Sequence, residues 1–112
     1  MKIKQIDQDG VVVLQLDGKI MGGPDATAIN DKLHELVEAG KTNIVADLAR
    51  VNWMNSSGLG ILISGLTTIR NAGGDLRLAA VTDRIRSLLM ITKLLTVFET
   101  FKTTEEAIQS FS

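Results

Sequence analysis

VNWMNSSGLGILISG, residues 51–65, is the stretch on which the fold turns. Leu59, Leu62, Ile63, Leu66 and Ile69 recur at helical spacing and make one apolar stripe. The helix they define opens on Asn55-Ser56-Ser57-Gly58. A helix start needs one polar cap, whose side-chain oxygen accepts from an orphan N–H of the first turn. Three candidates stand here, followed by Gly58 and Gly60.

The flanks supply the rest of the fold. Upstream, NIVADL (43–48) is short, apolar and β-rich, as in a strand buried on both faces. Before it, Pro24 suits a first helical turn, Ile29, Leu33, Leu36 and Val37 keep helical spacing, and Gly40 can close that helix. IKQIDQDGVVVLQLDG reads as two strands around an Asp9-Gly10 turn, with the second strand over Val11–Leu16 and a loop, GKIMGGP, behind it. Downstream, NAGG (71–74) stops the motif helix and DLRLAAV is a further strand. TDRIRSLLMITKL (82–94) is a third helix, capped by Thr82 or Asp83, with Ile85, Leu88 and Leu89 inward. TVFETF is a short strand or extended stretch, and TTEEAIQSF is a last helix with capping-box spacing between Thr103 and Glu106. The order β-β-α-β-α-β-α-(β)-α implies one α/β domain over residues 1–112. Its mixed sheet of four to five strands is parallel in the centre and packed by about four helices into one core.

Composition narrows the function. With 112 residues and 45% apolar content the chain can build a core without staples. It has no cysteine, hence no disulfide, thiolate metal site or cysteine nucleophile. A net charge of −1 offers nucleic acid no basic excess. The N-terminus lacks an apolar signal core and no apolar run reaches membrane-span length, so a soluble cytoplasmic protein is expected, with no membrane partner. The single histidine, His34, has no base–nucleophile partner in the pattern and reads as a solvated helix residue; no metal cluster or carboxylate pair stands out. GKIMGGPD lacks the lysine-serine end of a phosphate-binding loop. The expectation is a non-enzymatic domain without cofactor or metal.

Two readings of the serines stand on the residues alone. In one they are surplus caps, and the glycines let the helix lie close to the sheet. In the other Ser56, or failing it Ser57, accepts a phosphate. A helix N-terminus favours anions, so the added charge acts on whatever docks there rather than on the fold.

VNWMNSSGLGIL also resembles the DSSGLG or DSTGLG signature of the STAS domain family, in particular its anti-sigma factor antagonists (anti-anti-sigma factors). The likeness extends to LDGKI, NIVADL, NAGGDLRLAAV and LLTVFETFKTTEEAI, nearly the whole chain. It implies a switch in sigma-factor-dependent transcription. The unphosphorylated protein binds an anti-sigma factor that is often a serine kinase of the histidine-kinase-like ATPase type. Phosphorylation of the motif serine, Ser56 here, breaks the complex, and a phosphoserine phosphatase restores it. Met21, Gly22, Asp25, Asn55, Ser57, Gly58, Leu59 and Gly60 then fall on the partner-binding side. Two positions depart from the pattern: the motif's acidic residue is Asn55, which caps as well as Asp but carries no charge, and the acidic residue of the first loop is delayed to Asp25 behind Met21 and Gly22. Related domains also act as unphosphorylated scaffolds of larger signalling assemblies or as small-ligand sensors; the latter needs a pocket, which the sequence does not show.

Four further readings remain. Trp53, the one tryptophan, is expected in the core, with an interface anchor as the alternative. Exposed Met21 offers an adaptable apolar contact. Asp47 reads as structural, and Arg84, Arg86 and Lys93 as a solvated helix face.

Overall fold

In a computed structural model, which describes residues 1–93 and 96–112, the chain forms a five-stranded sheet in the order β1-β2-β3-β4-β5. The strands are β1 (Lys2–Gln8), β2 (Val11–Ile20), β3 (Asn43–Met54), β4 (Asp75–Ala79) and β5 (Thr100–Phe101). Between and after them run α1 (Pro24–Glu38), α2 (Ser56–Asn71), α3 (Asp83–Ile91) and α4 (Thr104–Gln109). β1 is antiparallel to β2 and the other pairs are parallel, as the element order implies. Asp9 and Gly10 both take positive φ, 55° and 77°, the geometry of a tight hairpin whose twist matches its strands. Thr103 caps α4 through the Glu106 N–H at 3.1 Å, and Thr82, not Asp83, caps α3. The third helix is shorter than its sequence pattern: it ends at Ile91, and Leu94, the end of the expected 82–94 helix, lies outside the described residues.

The interior is two clusters rather than the one core expected. On one face α1, α2 and α3 cover β2, β3 and β4, with Ile20, Leu33, Ile44, Leu48, Leu62, Ile69, Leu78, Ile85 and Leu89 fully buried. On the other face the short α4 sets Ala107 and Ile108 against Val11, Val13, Val45 and Ala79. Side chains alternate across a strand, so Ile44, Val45 and Ala46 feed both clusters, which is why NIVADL reads as buried on two sides.

β2 and β3 run further than the sequence indicates, to Ile20 and Met54. In β3 two bulges hide the strand. Gln15 and Asp17 face Asp47 and Arg50, and Gly18 and Lys19 face Val51 and Trp53, so β3 spends an extra residue at each step. The Asp47 carboxylate accepts from the Ala49 N–H at 3.0 Å within the first bulge, a structural role. Core-facing residues therefore fall at Leu48, Val51 and Met54, three apart, a spacing that does not read as β.

One polar cluster ties the far end of α2 to the C-terminal segment. Asp75 accepts from Arg70 Nε and Arg77 Nε, each at 3.0 Å; Arg77 also donates to Ser110 Oγ at 2.6 Å and lies 4.1 Å from the Phe111 ring centre. Partial burial pushes the Asp75 carboxyl upward, but the hydrogen bonds from Arg77 and Arg70 outweigh it and hold the group below its ordinary value. A carboxyl lowered by folding stabilises the fold above its unfolded value, near 4, and loses that contribution as pH falls through the folded value. Asp75→Asn should therefore lower the urea midpoint at pH 7, by about 1 kcal/mol in stability. The deficit should shrink on acidification to about pH 3; an equal deficit at both pH values would contradict this account.

Candidate functional site

The motif sits where β3 turns into α2, at the carboxyl ends of the parallel strands. This is the edge at which open α/β sheets place their sites. Asn55 is the cap: it has extended backbone, and its Oδ1 accepts from the Gly58 N–H at 2.8 Å. That settles which of the three polar residues starts the helix. Ser56 and Ser57 are the first two helical residues, both exposed, and among the described residues no side-chain hydrogen bond uses either hydroxyl. The first turn of α2 carries no acidic side chain, while Arg70 in its last turn complements the dipole.

The glycines do different work. A Cβ on Gly58 would stand 2.1 Å from the Ile20 carbonyl oxygen and 3.0 Å from Met54 Cγ, so only glycine lets α2 start against the end of β2. A Cβ on Gly60 would meet no other part of the fold within 4 Å among the described residues. Gly58 and Leu59 are buried and position the helix, whereas Gly60 is on the surface.

The first loop packs beside this turn. A Cβ on Gly22 would lie 3.3 Å from Ser57 Cβ, so the loop leans on Ser57. Asp25 faces its own loop: its carboxylate accepts from the Met21 N–H at 2.9 Å. Met21 is left 37% exposed. Ser57 also lines an open groove of about 480 Å³ between α1 and α2, together with Ala26, Thr27, Asn30, Gly60 and Ser64. Ser56 does not line it.

Trp53 departs from expectation. It is 40% exposed rather than buried, with the Arg84 guanidinium 5.0 Å from its ring centre. The bulges of β3 are the reason, since they turn Val51 and Met54 inward and leave Asn52 and Trp53 out. Ile20 pairs with Met54, so Met21 and Trp53 emerge from adjacent strand ends and flank the motif. Arg84 thus has a specific neighbour, not only solvent. His34 is exposed, as expected.

This architecture is that of a known family. The STAS domain model matches residues 2–107, and the chain belongs to the STAS domain family. It is 25% identical over 111 residues to BtrV of Bordetella bronchiseptica, a candidate anti-sigma factor antagonist, covering 99% of this chain and 95% of that protein. A candidate anti-sigma factor antagonist from Thermotoga maritima has the same fold, with a TM-score of 0.87 at 22% identity, over 96% of this chain and 92% of its own. The Bacillus cell fate determinant SpoIIAA in its phosphorylated form superposes with a TM-score of 0.76 at 21% identity, over 99% of this chain and all of its own. An anti-sigma factor antagonist from Mycobacterium paratuberculosis gives 0.82 at 24%, over 97% and 92%.

The site yields paired expectations for urea or thermal unfolding. Gly58→Ala should cost about 1–3 kcal/mol or more, because its methyl meets backbone. Gly60→Ala should be neutral or stabilising by up to about 1 kcal/mol. Asn55→Ala should cost about 1 kcal/mol and Asn55→Asp little. Ser56→Ala should stay within about 0.5 kcal/mol of wild type; a loss as large as that of Asn55→Ala would make Ser56 the cap instead.

Proposed function

We propose that this domain is an anti-sigma factor antagonist of the cytoplasm, switched by phosphorylation of Ser56. The observation that carries the reading is the division of labour in the motif. Asn55 caps α2, so the Ser56 hydroxyl is exposed at a helix start and has no structural task. The curated relative is a candidate antagonist, and SpoIIAA, of the same fold, exists in unphosphorylated and phosphorylated forms. Ser57 is the lesser candidate, because it leans on Gly22 and walls the α1–α2 groove.

In this mechanism the free domain presents the rim of Met21, Gly22, Ser57 and Gly60 around Ser56 to an anti-sigma factor. Leu59, Gly58 and Asn55 hold that rim in place from below. The partner is a serine kinase of the histidine-kinase-like ATPase type: Ser56 Oγ attacks the γ-phosphorus of the kinase's ATP, ADP leaves, the hydroxyl proton is released, and the phosphoserine so formed ends the complex. A phosphate adds about −1.5 to −2 charges. At the first position of α2 the helix dipole favours such a charge by about 0.3–1 kcal/mol, so the fold survives. The interface does not: burying a charge without a partner costs several kcal/mol, and each 1.4 kcal/mol is about tenfold in affinity. A phosphoserine phosphatase resets the switch. Asn55 keeps the cap geometry of an acidic residue without its charge, so the kinase would read the serine in a neutral setting.

The test is a paired pull-down from the native lysate with wild type and Ser56→Asp as baits and mass-spectrometric identification. Wild type should retain an ATPase-type anti-sigma factor and Ser56→Asp should lose it, while both melt within about 0.5–1 kcal/mol of each other. If both baits keep the same partners, the charge switch is wrong and the domain acts as a scaffold.

A further inference from the structure

Beyond the serine rim, the second face of the sheet is only half covered. α4 and Phe111 sit over Val11, Val13, Val45 and Ala79. From Gln15 onward, among the described residues, that face belongs to neither apolar cluster, and its side chains are half-exposed or exposed. On it β2 presents Gln15, Asp17 and Lys19, with Lys4 and Lys2 of β1 opposite Gln15 and Asp17, and Asp47 and Arg50 of β3 on the other side. The charge there is lopsided: Lys2, Lys4, Lys19 and Arg50 against Asp17 and Asp47, in a chain whose net charge is −1. Among the described residues, none of the four cations lies within 4.0 Å of a carboxylate, although Lys32, Lys41, Arg70 and Arg77 elsewhere are all paired.

Edge protection explains part of this. β1 is an edge strand, and lysines on an edge discourage pairing with other chains. It does not explain Lys19 and Arg50, which stand on the interior strands β2 and β3. Two shallow depressions mark the surface. One, of about 260 Å³, is framed by Lys2, Lys4, Asp17 and Arg50. The other, of about 460 Å³, lies at the rim end of β2 between Lys19, Met21, Trp53 and Arg84. The row of β2 side chains from Gln15 to Lys19 connects the two. A cationic track thus ends on a half-exposed tryptophan with an arginine over its ring, two of the residue types enriched at the energetic centres of interfaces.

We infer that this bare half-face docks an acidic segment of a partner protein, with an apolar side chain of that segment seated against Trp53 and Met21. Charge complementarity selects the occupant: a polypeptide bearing carboxylates pairs with Lys4, Lys19 and Arg50 without having to displace an existing ion pair, and its apolar residue gains from covering Trp53. Ser56 lines neither depression, and Met21 is the side chain common to the track and the serine rim.

Trp53 is the sole tryptophan, and its fluorescence reports on the site directly. The probe is a glutamate-rich peptide carrying one phenylalanine, titrated into the full chain. Controls are the same peptide with glutamine for glutamate, phosphatidylserine vesicles and single-stranded DNA. The acidic peptide should shift Trp53 emission to the blue, and binding should weaken as salt is raised. It should fall at least about tenfold in Lys4→Glu/Arg50→Glu, and likewise in Lys4→Glu/Lys19→Glu should the first variant fail to fold. No spectral shift, equal binding of the glutamine peptide, or a response to vesicles or DNA alone would each overturn the assignment.

Discussion

The first turn of α2 lies directly on the last residue of β2, and most of what this domain can do depends on that approach. A carbonyl oxygen at Ile20 stands where a Cβ of residue 58 would be. Because residue 58 is glycine, its N–H can come down to the Asn55 side chain while the helix still touches the sheet. Three parts are fixed at once: the ends of β2 and β3, the start of α2, and the loop that leaves Ile20 and folds back on Ser57. Backbone against backbone leaves little freedom, so the serines are held at a set height above the strand ends. Ser56 is placed at the first position of α2 with its side chain exposed.

The same constraint separates the roles of the motif's residues. Asn55, Gly58 and Leu59 face the sheet and are structural. Ser56, Ser57 and Gly60 face outward. The replacement of an acidic residue by Asn55 is neutral for the first group, since either side chain offers an oxygen to the Gly58 N–H. It matters only for what approaches from outside, by removing one negative charge from the serine's neighbourhood. Fold and signalling chemistry can therefore diverge at one position, and the cap geometry by itself carries no information about the partner.

Legibility in the sequence followed the physics of each element. The helices were plain because burial of one face at 3.6-residue spacing leaves a direct pattern, as in Leu59, Leu62, Leu66 and Ile69. Thr103 and Asp9-Gly10 were plain because capping and positive φ demand particular side chains. The second half of β3 was not, because two bulges convert alternation into the three-residue spacing of Leu48, Val51 and Met54. That same irregularity misplaces Trp53. A large aromatic beside a buried methionine reads as core, and only the bulge register shows that it points out. The division into two clusters was hidden as well: the residues of NIVADL announce burial on both faces, but not that a six-residue helix covers only part of the second.

Those two hidden features are linked. A short α4 leaves the rim half of the sheet's second face without a lid, and the bulges of β3 deliver Arg50 and Trp53 to that side of the strand. A fully covered sheet would have demanded apolar residues at Gln15, Asp17 and Lys19, and a regular β3 would have sent different side chains outward. The serine rim and the cationic track consequently meet at the strand ends, near Met21 and Trp53, while facing different directions. Under the proposed switch a charge on Ser56 acts at the rim, Lys4 and Arg50 lie further along the sheet, and Met21 is the side chain that rim and track share.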